Sequence, residues 1–341
     1  MLMTPPPHTY LSTQRIIHNP FFWVVHSTAD DPISQNARSG KINIEHDLFK
    51  LFKVPGVFLD LGSNIGAFSL PFAAMGWRGY AFEASSQNCN ILKKSIHLND
   101  FDITVVNKAI YDKTGNIYFG AGKGGCEFWS NGLIKNEVRE DVQWEKVPCI
   151  SLDDWIKQDK KKIPEKITFI KMDIEGSEVA ALRGMKKMLK KNGYPPIFVE
   201  SNSWTLFLQN ETQKSLLNTA NEMGYIPYIL KEDTLLEYNI NNFPTILVTD
   251  FLLLKDIPKS LKKKSKVKSF EASIQDSNEV VSFLIQNLSI DSPKHILMSY
   301  CYVLKDFPDY ASNLQIKERL EIIAGVNSQD KFLEKYLGWY V

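Results

Sequence analysis

The sequence contains few cysteines and no long hydrophobic run. Its four cysteines are far apart and form no Cys-x-x-Cys pair (Cys89, Cys126, Cys149 and Cys301). This argues against a thiolate zinc site and against a disulfide framework. The most apolar window, 243–254, is interrupted by Asp250, whereas a membrane-spanning helix needs about 20 apolar residues. The proline-rich, polar start shows no secretory signal pattern. We therefore expect a soluble, cytoplasmic protein with reduced thiols and no transmembrane segment.

Neither sign of charge dominates the chain. Lys and Arg number 40 and Asp and Glu 39, so the formal net charge is +1. A dedicated nucleic-acid binder normally carries a basic excess, so no nucleic-acid partner is expected. With 341 residues, 44% hydrophobic and 23% charged, the chain has a globular composition and exceeds the usual length of one domain. We expect one large domain and a smaller appendage.

Between residues 57 and 254, short apolar runs alternate with segments of helical period, which is typical of βαβ units and a mostly parallel sheet. The predicted strands are 57–61, 79–83, 103–107, 167–172, 197–200, 225–230 and 245–254. The predicted helices include one capped by Ser85 or Ser86, one from Ser177 to about Gly193, and one opened by a capping box of Asn210 and Gln213. The segment 109–155 breaks the alternation and predicts a hairpin and a long mobile loop.

These patterns divide the chain into four parts. Residues 1–55 are predicted to form an N-terminal lid or helical segment, and 56–256 the α/β core. Lysines crowd the stretch after Asp256, which predicts a lysine-rich linker at 257–270. Helical capping patterns such as Asp276 with Glu279 predict a small helical appendage at 271–341. The apolar faces of that appendage are also candidates for a homodimer contact.

The most informative segment contains Asp60-Leu61-Gly62-Ser63-Asn64-Ile65-Gly66 after a short apolar strand. Such a strand, glycine turn and helix start is common to nucleotide-binding α/β folds. The dinucleotide fingerprint G-x-G-x-x-G is not met, because Asn64 stands at the middle glycine position, and this disfavours a nicotinamide oxidoreductase. Asp60 would repel a pyrophosphate. It suits a ligand with a cationic amino group, such as the methionine part of S-adenosylmethionine.

A second acid, Glu83, ends the next predicted strand. Open α/β sheets bind ligands at the carboxyl ends of their strands. A carboxylate at this place can accept hydrogen bonds from both hydroxyl groups of a ribose. Asp60, the two glycines and Glu83 together therefore predict a site for S-adenosylmethionine.

A third acidic group follows a later strand, in Lys171-Met172-Asp173-Ile174-Glu175-Gly176-Ser177-Glu178. If this strand lies beside the first one, Asp173 and Glu175 face the reactive end of the cofactor, and Glu200 adds an acid at the same edge. Methyl transfer to an oxygen gains from a base that removes the hydroxyl proton. These three acids are the predicted catalytic residues, and which of them is the base stays open. His26 and His46 are further candidates for the base.

The chain resembles the FkbM-type family of S-adenosylmethionine-dependent methyltransferases over about 42–254. The matching residues are Phe58 to Gly66, Phe82-Glu83-Ala84, Asn107-Lys108-Ala109-Ile110, Ser151-Leu152-Asp153-Asp154 and Ile170 to Glu178. The resemblance implies a Rossmann-like class I methyltransferase core, with a seven-stranded, mostly parallel sheet and an antiparallel last strand. It also implies O-methylation of a hydroxyl group, usually on a sugar or another secondary metabolite.

The resemblance also assigns roles to individual residues. The methionine part of the cofactor would be held by Asp60, Gly62, Ser63, Asn64, Ile65 and Gly66. Glu83 would bind the ribose, with Ala84 beside it where the family often has proline. Asn107 and Ala109 would line the adenine. The strand pattern, and not the resemblance, predicts Asp173 as a further cofactor contact, at the methyl-transfer end. The acceptor would be a glycan or another small molecule.

Two other functions remain open at this stage. One is a metal-assisted, catechol-type methyltransferase with a divalent ion held by Asp173 and Glu200, whereas the leading prediction includes no metal. The other is a non-catalytic module that binds S-adenosylmethionine and a partner protein.

Overall fold

The computed structural model describes residues 12–15, 21–26, 32–38, 48, 51–121, 127–130, 143–158, 166–209, 211–231, 234–239, 248–257 and 266–269. The strands in these ranges are β1 (Ser12–Arg15), β2 (Phe22–Val25), β3 (Val57–Leu61), β4 (Arg78–Phe82), β5 (Ile103–Val106), β6 (Ala109–Ile110), β7 (Gly115–Ala121), β8 (Glu127–Ser130), β9 (Gln143–Ile150), β10 (Ile167–Met172), β11 (Ile197–Asn202), β12 (Ile226–Lys231), β13 (Thr234–Glu237), β14 (Val248–Leu254) and β15 (Lys266–Ser269). The helices are α1 (Pro32–Arg38), α2 (Ser69–Ala74), α3 (Ser86–Asn99), α4 (Leu152–Gln158), α5 (Glu178–Arg183), α6 (Lys186–Asn192), α7 (Ser203–Leu208) and α8 (Gln213–Glu222).

The chain divides into two compact units. The first comprises residues 1–129, 141–174 and 184–197, and the second comprises 130–140, 175–183 and 198–341. The predicted α/β core, 56–256, is therefore shared between the two units. The boundary falls inside the acidic motif after β10, between Ile174 and Glu175.

The main sheet of the first unit is parallel, with strands in the order β10-β3-β4-β5. All five residues of β3 are buried, because a short apolar strand in such a sheet is covered on both faces. The register pairs Lys171 of β10 with Asp60 of β3, and Leu61 of β3 with Phe82 of β4. The α/β architecture and the positions of these strands agree with the prediction to within one residue at each end.

A second sheet in the first unit has the order β6-β9-β7-β8. Its central pair, β7 and β9, is antiparallel from Gly115 opposite Cys149 to Ala121 opposite Gln143. This corrects the prediction for 109–155. The hairpin is present, but β6 and β8 extend it to four strands and the helix α4 follows it. The remaining residues of the predicted loop lie outside the described ranges.

The observed helix bounds agree only in part with those predicted from the sequence. Ser85 caps α3, and its hydroxyl oxygen accepts a hydrogen bond from Asn88 N at 3.3 Å. The helix predicted from Ser177 to about Gly193 is instead two helices, α5 and α6, with Gly184 between them. A Cβ on Gly184 would lie 2.4 Å from Tyr111 O, so this position tolerates no side chain. Gly193, in the left-handed conformation, ends α6 as predicted.

The second unit contains strands in the order β15-β13-β12-β14-β11. β14, the last strand of the predicted seven, pairs antiparallel with β12, the orientation predicted for it. The capping box predicted for α8 from Asn210 and Gln213 is wrong. Thr212 and Ser215 form the box, because the buried side chain of Gln213 turns inward and donates to Ser201 Oγ at 2.9 Å.

The structure differs from the prediction in the two segments that flank the predicted core, 1–55 and 257–270. In the predicted lid segment 1–55, the described residues form the antiparallel pair β1 and β2 as well as the helix α1. In the predicted linker 257–270, residues 266–269 form β15, which pairs in parallel with β13. The predicted appendage, 271–341, lies outside the described residues. Within the described ranges, no helix has the length and apolar character needed to cross a membrane.

Candidate functional site

Residues 62–66, in the loop between β3 and α2, have a backbone conformation that requires their glycines. Gly62 and Gly66 have φ angles of +81° and +98°, which L side chains rarely adopt. A Cβ on Gly62 would lie 1.8 Å from Asp173 O, and one on Gly66 would lie 2.6 Å from Leu92 Cδ1. Asn64 is also left-handed, with φ 47°. We call this segment the cofactor loop, because it is the predicted place for the methionine part of the cofactor.

Asp60 lies in β3, two residues before Gly62, and its side chain exposes none of its surface. Its Oδ2 accepts a hydrogen bond from Ser69 Oγ at 2.5 Å. Its Oδ1 has no hydrogen-bond partner in the described part of the chain but lies 3.5 Å from Lys171 Nζ. Burial raises the pKa of Asp60, while the Lys171 ammonium and the Ser69 hydroxyl oppose this rise.

Lys171 connects Asp60 with the cofactor loop and with Asp173. Its Nζ lies 3.5 Å from Asp60 Oδ1 and 3.3 Å from Asp173 Oδ2, and it donates to Gly62 O at 3.0 Å. Only 12% of the Lys171 side chain is exposed. Lys171 was not among the predicted site residues. The available signal was a lysine near the end of a largely apolar strand, two positions before an acid.

Glu83 follows β4, and its carboxylate binds two backbone N–H groups. Asn64 N donates to Oε2 at 2.7 Å, and Ser85 N donates to Oε1 at 2.8 Å. The side chain thus joins the cofactor loop to the start of α3. Burial raises the pKa of Glu83 to about 7, although both N–H groups favour the charged form.

The other predicted cofactor residues lie close to this group. Ser63 and Ile65 are buried, and the N–H groups of Gly62 and Ser63 donate to Phe82 O. Asn107 Nδ2 donates to Glu83 O and to Ala84 O, each at 2.9 Å. Ala84 and Ala109 pack against a small buried cluster in the second sheet, formed by Ile117, Val147 and Cys149.

The predicted catalytic acids are not all described within one unit. Asp173 belongs to the first unit with the cofactor loop, and 38% of its side chain is exposed. Glu175 and Glu200 belong to the second unit. Glu175 precedes α5 with φ 54°, and Glu200 is half-buried in β11.

Of the two candidate histidines, His26 lies in the first unit with its Nε2 3.0 Å from Asn88 Oδ1. His46 lies outside the described residues. Within the part of the chain that the structure describes, no cluster of three or more His, Cys, Asp or Glu side chains is arranged to hold a metal ion.

The cofactor loop is held by side chains from three other elements. Lys171 of β10 donates to Gly62 O, Glu83 after β4 accepts from Asn64 N, and Trp23 of β2 donates to Ile65 O. Three of the five residues of the loop are therefore bound by side chains from outside it. A glycine-containing loop held in this way, before a helix and near a buried acid, is typical of nucleotide-binding α/β folds.

Comparison with known protein families identifies the family of the segment that contains this loop. The model of the methyltransferase FkbM domain matches residues 60–227, which include the cofactor loop, Glu83 and the acidic motif after β10. The match identifies residues 60–227 as an FkbM methyltransferase domain, and the described strands form a Rossmann-like α/β fold. On the strength of this match, residues 60–227 belong to the FkbM methyltransferase family. None of the curated proteins compared with the chain matches it.

Several solved structures are similar to the chain at low identity. The methyltransferase FkbM from Methylobacillus flagellatus KT is 19% identical, with 59% of this chain and 44% of that chain covered and a TM-score of 0.36. A 16S rRNA methyltransferase from T. thermophilus, in complex with AdoMet and guanosine, is 16% identical, with coverages of 74% and 52% and a TM-score of 0.37. A precorrin-6y methyltransferase from Geobacter metallireducens is 10% identical, with coverages of 62% and 88% and a TM-score of 0.33. The chain thus spans less than half the length of the Methylobacillus protein.

Proposed function

We propose that the protein is an S-adenosylmethionine-dependent O-methyltransferase that acts on a hydroxyl group of a saccharide or a related metabolite. The observation that carries the proposal is the cofactor loop, which is bound by Lys171, Glu83 and Trp23 and lies within a segment of the FkbM family. Cytoplasmic location, a glycan acceptor and the absence of a nucleic-acid partner stay predictions. A homodimer through 271–341 also stays a prediction, on residues outside the described ranges.

The residues of the first unit fit the cofactor. The cofactor loop approaches Asp173 O too closely for any side chain at position 62, which leaves backbone alone on this side of the site. Each carboxylate oxygen of Glu83 accepts one N–H group and keeps a lone pair for a ribose hydroxyl. Asn107 and Ala109 are proposed to line the adenine. Because Asp60 is fully buried, we assign it an indirect role: it orients Lys171 and Ser69.

S-adenosylmethionine supplies a methyl group on a positively charged sulfur. The chain contributes orientation and proton removal. Asp173 is the proposed base, because its carboxylate is partly exposed beside the cofactor loop and can accept a proton from an acceptor hydroxyl. The ammonium of Lys171, 3.3 Å away, fixes its position. Glu175 and Glu200 remain the other proposed acids for this step.

Calorimetric titration with S-adenosylhomocysteine tests the cofactor assignment. Wild-type protein should bind, and Gly62→Ala should bind at least about tenfold more weakly because the Cβ would displace the Asp173 carbonyl. The matched control is Gly115→Ala, where a Cβ would meet nothing within 4 Å, and its affinity should equal that of wild type. Thermal melting of all three proteins separates lost binding from unfolding. A wild-type protein that binds NADH and not S-adenosylhomocysteine would refute the proposal.

The acceptor is tested by methyl transfer from labelled S-adenosylmethionine to a panel of saccharides, catechols and small hydroxyl compounds. Transfer to a saccharide that persists in the presence of a chelator supports the proposed reaction. Transfer confined to catechols and abolished by the chelator would instead support the metal-assisted reaction.

A further inference from the structure

The N-terminal strand β2 reaches the cofactor loop although it lies outside the family segment 60–227. The indole Nε1 of Trp23 donates a hydrogen bond to Ile65 O at 2.9 Å, and both residues are fully buried. A buried carbonyl that loses its donor keeps the full cost of desolvation. The bond is therefore a buried polar contact between β2 and the predicted methionine-binding segment.

Two side chains of α3 form hydrogen bonds with backbone groups of β2. Asn99 accepts from Phe22 N through Oδ1 at 2.7 Å and donates to Phe22 O through Nδ2 at 2.6 Å. Ser95 Oγ accepts from Val24 N at 2.9 Å. These three bonds lie on either side of Trp23 along β2. They hold its backbone on a helix that begins shortly after Glu83, another side-chain partner of the loop.

We propose that Trp23 is a positioning residue for the cofactor loop, so that the N-terminal strand completes the cofactor site. The inference rests on the proposed function for the identity of the ligand. Trp23 fixes the Ile65 carbonyl, and because this carbonyl and the Gly66 N–H belong to one planar peptide unit, it also fixes the N–H that donates to Ser63 O within the loop. Preorganised loops bind with less entropic cost than loops that must be ordered by the ligand.

The test compares two tryptophan-to-phenylalanine substitutions in the first unit. Trp23→Phe removes an indole N–H that donates to Ile65 O. Trp77→Phe removes an equally buried N–H that has no hydrogen-bond partner among the described residues. Both substitutions delete similar volume from a packed site, so their difference isolates the bond to the loop.

Two readouts are needed. Without ligand, amide hydrogen exchange in residues 62–66 should be about tenfold faster in Trp23→Phe than in wild type and unchanged in Trp77→Phe. Affinity for S-adenosylhomocysteine should be about tenfold weaker in Trp23→Phe alone. Equal exchange and equal affinity in the two variants would overturn the inference. If wild type binds no S-adenosylhomocysteine, the proposed function fails, whereas the exchange comparison still decides the role of Trp23.

A second variant covers the case in which Trp23→Phe does not fold. Ser95→Ala keeps the indole and removes the acceptor of Val24 N, which loosens β2 one residue away. Exchange in residues 62–66 should then increase in the same direction by a smaller factor. Unchanged loop exchange in Ser95→Ala would count against the inference.

Discussion

Replacing Lys171 by methionine should lower the free energy of unfolding by about 3–5 kcal/mol, because breaking a buried ion pair leaves one charge uncompensated. Asp60 exposes no surface, and the Lys171 ammonium lies 3.5 Å from its Oδ1. The loss should increase with pH. Burial already raises the pKa of Asp60, and removing the ammonium raises it further. A carboxyl group whose pKa is raised on folding contributes instability as the pH rises past its unfolded value. Urea denaturation at pH 5 and at pH 8 measures both effects.

Two further variants make the ion-pair prediction specific. The double variant Asp60→Asn with Lys171→Met removes both charges and should recover most of the lost stability. Lys166→Met changes an exposed lysine just before the same strand and should stay within about 0.5 kcal/mol of wild type. If Lys171→Met costs no more than Lys166→Met, or the double variant is no more stable than the single one, the bridging role of Lys171 is wrong.

The second large effect is expected at Glu83, where glutamine should weaken the binding of S-adenosylhomocysteine by about a hundredfold. The ionised carboxylate accepts from Asn64 N and Ser85 N at once. A glutamine can accept only one of these bonds with its single oxygen and presents an NH₂ group to the other donor. The cofactor loop and the ribose site are disturbed together. Glu222→Gln, an exposed acid at the end of α8, is the control and should bind like wild type.

The same carboxylate makes binding and stability depend on pH in opposite directions. Because the pKa of Glu83 is raised to about 7, wild-type affinity should fall as the pH drops below this value, toward tenfold per pH unit. Folding favours the protonated form, so this group lowers stability as the pH rises from its ordinary pKa of 4.5 to about 7. The difference in unfolding free energy, Glu83→Gln minus wild type, should increase by roughly 3 kcal/mol over that interval. A constant difference between pH 4.5 and pH 8 would show that folding does not raise the pKa of Glu83.

Much of the fold could be predicted because its signals are local. The apolar runs of β3 and β10 were found with their observed bounds. Ser85 as the cap of α3 and Gly193 as the end of α6 depend on neighbours within one helical turn. The helix break at Gly184 could not be found in this way, because it depends on the close approach of the Tyr111 carbonyl.

By itself the sequence determined the α/β class and the glycine-containing turn with acids at two strand ends, since these depend on apolar spacing and on the φ angles open to glycine. Only the tertiary structure decided the partners of those groups. Lys171 and Gly62 are 109 positions apart, and Trp23 and Ile65 are 42 apart. Strand register brings the first pair together, and the packing of β2 on α3 brings the second. The physical reason is that register and packing depend on surfaces buried between distant segments, which the spacing of residues along one segment does not encode.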